Sequence, residues 1–143
     1  MTPTFLTLDQ QSQISEAIKN AEIRTSGEIR VHLEANCQGN VLDRASEVFE
    51  KLEMHKTKLR NGVLFYLAYE DRKFAILGDA GINSNVPENF WDQIKIKMQG
   101  KFRGGHFAEG LCDGVEMAGH QLQECFPRED GDINELPDHV TFG

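Results

Sequence analysis

The chain has 143 residues, enough for one domain that buries roughly two-thirds of its unfolded surface without disulfide staples. Formal net charge is -8, and without a clustered Lys/Arg stripe such a surface repels a phosphate backbone, which excludes nucleic acid as the expected partner. The three cysteines, Cys37, Cys112 and Cys125, are odd in number and lack C-x-x-C spacing. That argues against a disulfide framework or a zinc knuckle and for a reducing, cytoplasmic setting. The opening "MTPTFLTLDQ" has no basic segment leading into an apolar one, and no run of about 18 apolar residues occurs, so neither export by that route nor a membrane span is expected.

In chain order, "TLDQQSQISEAIKNAEIRT" places Thr7 three residues before Gln10, a capping-box spacing, and then Ile14, Ala17, Ile18 and Ala21 on one helical face. "GEIRVHLEA" alternates as a strand, with Ile29, Val31 and Leu33 on the more buried face and Glu28, Arg30, His32 and Glu34 on the other. "VLDRASEVFEKLEMH" is a second helix with Asn40 as N-cap. Val63 to Tyr69 is continuously apolar and Phe74 to Leu77 nearly so; the short charged "EDRK" between them predicts a hairpin of two buried strands.

A third helix is expected from Asn85 as N-cap, with Pro87 in its first turn and Phe90, Ile94, Met98 and Phe102 at i, i+4 spacing. A fourth follows over His106 to Phe126, where Gly110, Gly114 and Gly119 read as sites of close packing on the sheet. The tail, 127 to 143, is expected to be irregular and acidic and to dock Val140 and Phe142 onto the body. The order α-β-α-β-β-α-α defines an α/β fold, a three-layer α/β/α sandwich with a small mixed sheet and helices on both faces.

A strand–helix–strand crossover is parallel and the hairpin reverses the next strand, so "TSGE" (25–28), "RNG" (60–62) and "GDAGIN" (78–83) meet at one sheet edge. Glu28, Asn61, Asp79 and Asn83 then form a candidate divalent-cation set, because hard ions such as calcium take several oxygen ligands. Arg60 is the candidate phosphate ligand beside them, and Arg24 the other basic residue near that edge. The plainer reading of the same residues is turn chemistry, to which Gly, Asp and Asn are suited. Glu34, Asn36, Glu70 and Asp71 at the opposite edge read as a solvated rim. "DGDIN" at 130–134 resembles the start of an EF-hand loop, but Glu135 stands where the glycine belongs and Thr141 where the bidentate Glu belongs. His106 and Glu109 are a surface pair, Cys37 is structural, and Phe65, Tyr66, Tyr69 and Trp91 belong to the core.

In order, "TSGEIRVHLE", "NGVLFYLAYEDRKFAILGDAGIN", "VPENFWDQI", "MQGKFRGGHFAEGL" and "NELPD" resemble the TPM domain family, which includes photosystem-II-associated thylakoid lumen proteins and an acetylcholine-receptor regulator. The resemblance covers about residues 8 to 126 and is closest to small stand-alone bacterial members. It implies an α/β/α sandwich, an acidic pocket at one sheet edge, calcium binding in some members and acid phosphatase activity in the plant branch. Onto this chain it carries Glu28, Asn61 and Asp79. Asn83 stands where many members have an acidic residue, a departure that removes one charge. Two functions follow as expectations: a calcium site with weak metal-dependent phosphomonoester hydrolysis, or a noncatalytic module that binds another protein.

Overall fold

Thr7 opens α1, Leu8–Arg24, through the capping box its spacing predicts: its hydroxyl accepts the Gln10 N–H at 3.0 Å, and the Gln10 side chain accepts the Thr7 N–H at 2.9 Å. The computed structural model describes residues 5–128 and 140–143. After α1 come β1 (Glu28–Glu34), α2 (Val41–Lys51), a 3-10 turn (Met54–Lys56), β2 (Gly62–Ala68) and β3 (Lys73–Gly78). Then follow α3 (Ala80–Asn83), α4 (Asp92–Arg103), α5 (Phe107–Cys125) and β4 (Thr141–Phe142).

The sheet order is β3-β2-β1-β4. β1 runs parallel to β2, from Glu28 opposite Gly62 to Glu34 opposite Ala68, and β3 returns antiparallel to β2. Alternation sorts the side chains into two cores. Ile29, Val31, Leu33, Val63, Phe65 and Leu67 pack with α1, α4 and α5, while Leu64, Tyr66, Ala68 and Ala75 pack with α2 and Met54. This is the expected α/β/α sandwich.

Three elements differ from expectation, the first two because of a partner distant in sequence. The tail ends in a strand: β4 pairs in parallel with β1 at His32–Thr141 and Leu33–Phe142, with Val140 buried and Phe142 packed on the core. "DGDIN" lies outside the described residues. β1 is consequently an inner strand, and all seven of its residues are buried, the polar ones included. Finally, α4 starts at Asp92 instead of near Asn85. Asn85 donates its side-chain amide to the Gly81 carbonyl at 2.7 Å, closing α3 behind it, and Trp91 is buried at the α4 N-cap.

The α5 glycines serve helix packing more than sheet packing. A Cβ on Gly119 would lie 2.7 Å from Ala21 Cβ and 3.0 Å from Ala21 Cα, so α1 and α5 meet backbone to backbone. Gly114 faces Met98 of α4 and Phe65 of β2. Gly100, inside α4, has nothing within 4 Å of the same position. Gly100→Ala should therefore stabilise the fold by about 0.5–1 kcal/mol through helix propensity. Gly119→Ala should destabilise it by about 1 kcal/mol or more, because the clash with a neighbouring backbone exceeds that gain. Urea melts of the two variants check the opposite signs.

Candidate functional site

The predicted edge forms. Thr25 anchors it by donating its hydroxyl to the Phe126 carbonyl and accepting the Gly27 N–H at 3.1 Å, which ties the start of β1 to the end of α5. The Glu28 N–H donates to the Asn61 carbonyl at 3.2 Å, and the Asp79 N–H donates to the Gly62 carbonyl at 2.9 Å. Glu28, Asn61 and Asp79 are 3%, 2% and 6% exposed. "TSGE", "RNG" and "GD" thus converge as topology requires, on buried polar residues.

As they stand they are not gathered into one coordination shell. Glu28 and Asp79 flank Gly62 in a cross-strand row, so their backbones stand about two strand spacings, or about 10 Å, apart. Met54 fills the space above Gly62. Both Asp79 oxygens are already engaged: Arg60 donates Nε to Oδ2 at 2.7 Å and Nη2 to Oδ1 at 2.8 Å, and the Ala80 N–H caps α3 through Oδ1 at 2.7 Å. The carboxylate raises the pKa of the Arg60 guanidinium by that hydrogen bond first and by charge second. Asn83 is exposed and donates its amide to the Gly78 carbonyl at 3.0 Å. Asn61 donates to Ser26 Oγ at 3.4 Å, which leaves its amide oxygen free of that bond. Among the described residues no group of three or more His, Cys, Asp or Glu side chains is placed to hold a metal. Glu28 and Asn61 carry the oxygen donors a hard cation takes, and Asp79 offers its own once Arg60 is released. Arg24 contacts His120 at the surface instead of joining this edge.

At the opposite edge the structure corrects the solvated-rim reading of Glu34. Its carboxylate is buried and accepts Arg44 Nε at 2.8 Å, Arg44 Nη2 at 2.9 Å and the Tyr66 hydroxyl. His32 lies beside it, with Nε2 3.5 Å from Oε1 and Nδ1 2.7 Å from the Thr141 hydroxyl of β4. The Arg44 hydrogen bond is the largest cause holding the Glu34 pKa down at about 2. Burial first, then Glu34, pushes the Tyr66 phenol up, and burial pushes the His32 imidazole down. A carboxylate so acidic is a poor general base at neutral pH, and its hydrogen bonds tie β1 to α2 and β2. Glu70 is exposed, and Asp71 accepts the Cys37 N–H at 2.7 Å and Asn36 at 3.2 Å, rim contacts of the expected kind. The sequence signal for the buried network was a row of four ionisable residues in β1 facing a tyrosine in an otherwise apolar β2.

The fold and its polar edge define the class: an α/β/α sandwich domain with buried oxygen-bearing side chains where β1 and β2 begin. The chain belongs to the TPM domain family, whose model matches residues 2–121. It is similar over its whole length to the NMR structure of the BA42 protein from the psychrophilic bacterium Bizionia argentinensis, at 48% identity and TM-score 0.94, covering 99% of that chain. The fold is also that of the N-terminal domain of a protein from P. gingivalis, at 22% identity and TM-score 0.69, covering 86% of this chain and 80% of that one. The N-terminal domain of the cg2496 protein from Corynebacterium glutamicum gives 13% and 0.65, covering 90% of this chain and 78% of that one. No curated protein sequence matches the chain. Among the described residues no helix is long and apolar enough to cross a membrane.

Proposed function

We propose that this TPM domain is a noncatalytic binding module that takes calcium, or another divalent cation, at the edge formed by residues 26–28, 60–62 and 79–83, and that the cation tunes contact with a protein partner. The observation that carries the reading is burial: Glu28, at the start of β1, and Asn61, just before β2, are 3% and 2% exposed where turn chemistry alone would leave them in water. Their donor set is all oxygen, the chemistry a hard cation takes. Asp79 joins as a ligand by exchanging Arg60, whose side chain is half in solvent and readily rehydrated. Phosphomonoester hydrolysis is left outside the proposal, because Arg24, the other basic residue expected at this edge, contacts His120 instead and leaves Arg60 as the single expected phosphate ligand. The cytoplasmic setting belongs to the same proposal and rests on three unpaired thiols.

A calcium titration followed by backbone amide NMR tests it. Saturable shifts at residues 26–28, 60–62 and 79–83 are expected, lost in Glu28→Gln and weakened in Asp79→Asn. Arg60→Gln should bind calcium more tightly by about threefold to tenfold, because it frees the Asp79 oxygens. An unmoved spectrum at about millimolar calcium would remove the cation from the proposal.

A further inference from the structure

Leu67 and Phe74 face each other across the β2–β3 ladder, on the side covered by α4 and α5. Above them Phe102 stands edge-on to Phe74, with ring centroids 5.1 Å apart, and lies near-parallel to Phe107 at 5.4 Å. Gly110 permits this arrangement: a Cβ there would come 2.7 Å from Phe102 Cε1. The three aromatic rings are only half-buried, because the elements stop short of closing. They leave a cavity of about 150 Å³ lined by Leu67, Phe74, Phe102 and Phe107, with Arg72, Gln99 and Arg103 also in its wall. It lies at the hairpin end of the sheet, away from Asp79 and the candidate cation edge.

The two arginines distinguish this cavity from a packing defect. Neighbouring lysines are engaged: Lys73 donates to the Cys37 and Gly39 carbonyls, and Lys101 pairs with Glu109 at 2.9 Å. Arg72 and Arg103 make no side-chain hydrogen bond or ion pair among the described residues. Arg72 also holds a left-handed φ of 55°, a conformation in which Gly or Asn would cost less.

We propose that this cavity binds a carboxylate carried on a small apolar group, such as a phenyl or branched alkyl chain. Guanidinium forks match the planar carboxylate bidentately. A space of this volume accepts a body about the size of benzene. The aromatic walls supply contact area and Gln99 a further polar group at the wall. Two sources share this chemistry, a free carboxylic acid and the C-terminal carboxylate of a peptide ending in an apolar residue.

Amide NMR titrations of the full chain decide between them. The probes are 3-phenylpropionate, its neutral match 3-phenylpropanamide, and N-acetyl-Gly-Gly-Phe with a free carboxylate. Saturable shifts at Leu67, Phe74, Gln99 and Phe107 are expected with a Kd on the order of 1 mM or tighter, and about tenfold weaker for the neutral amide. Tighter binding of phenylpropionate assigns a free acid, and tighter binding of the peptide assigns a protein C-terminus. Arg72→Gln and Arg103→Gln each replace an exposed side chain, and the spectrum itself reports that they fold. Each should weaken the acid several-fold while leaving the neutral amide unchanged. The proposal is overturned by an absence of saturable shifts at about 10 mM acid, by equal binding of acid and amide, or by both arginine variants binding like wild type.

Discussion

Arg44→Ala is expected to destabilise the fold by about 3 kcal/mol at neutral pH, the low end for removing one partner of a buried ion pair because Arg44 itself is 28% exposed. The loss comes from what remains. Glu34 would keep the Tyr66 hydroxyl but lose two charge-assisted hydrogen bonds inside a buried site, with His32 as its remaining cationic neighbour only when protonated. The pH dependence separates this from simple loss of packing. Glu34 has its folded pKa depressed to about 2 from 4.5, so its contribution is fully present above the unfolded value and is lost as pH falls through the folded one. The gap between wild type and Arg44→Ala in urea stability should therefore be widest near neutrality and close as pH drops from about 4.5 towards 2. A gap of constant size across that range would mean that the arginine acts by packing alone.

His32 adds an earlier acid-sensitive step of the same sign. Burial lowers its folded pKa below the ordinary 6.5, so the unfolded chain binds the proton more readily, and stability falls as pH drops below 6.5. The step involves the attachment of β4, since His32 Nδ1 and the Thr141 hydroxyl share a contact. His32→Gln should flatten stability just below pH 6.5 and leave the Glu34 step in place.

What was legible in the sequence was what acts over a few residues or repeats with a period. The Thr7 capping box, the alternation in β1 and the charged turn after β2 each specify a local geometry, and together they fix the parallel and antiparallel pairings that bring Glu28, Asn61 and Asp79 to one edge. What was not legible depends on partners that no local pattern names. Two residues of β4, more than a hundred positions downstream, turn β1 into an inner strand. Glu34 read as solvated because Arg44, which neutralises it, sits on a helix whose rotation the sequence leaves open. The type and turn context of Asp79 suit a metal ligand, but they do not say which groups engage it when no ion is bound. The same features suit an N-cap and an arginine partner, and Arg60 reaches it from the segment leading into β2. Topology located the edge; only side-chain geometry could say which oxygens there are already engaged.

That edge depends on one residue more than on any of its polar groups. The Gly81 N–H donates to the Arg60 carbonyl at 2.8 Å, and this close approach seats α3 against the segment leading into β2. A Cβ at position 81 would lie 2.5 Å from the Arg60 carbonyl oxygen and 2.9 Å from its carbon, with the Leu59 carbonyl oxygen nearer still. These are backbone atoms, so no rotamer change relieves the overlap. Arg60 already holds a φ of 52°, which leaves its peptide little room to turn away. Gly81→Ala should therefore cost about 3 kcal/mol or more by overpacking, well beyond any helix-propensity gain in a four-residue helix. A urea melt reads the loss, and amide NMR reads its place: shifts concentrated at residues 59–62 and 78–83 would show α3 displaced. In that displaced state Arg60 and Asp79 lose their bidentate register, so any calcium response of wild type should change more in Gly81→Ala than in Gly119→Ala, which disturbs only the α1–α5 contact. Equal stability of Gly81→Ala and wild type would mean that α3 shifts without cost, and the close backbone approach would then have no part in holding Asp79 against Arg60.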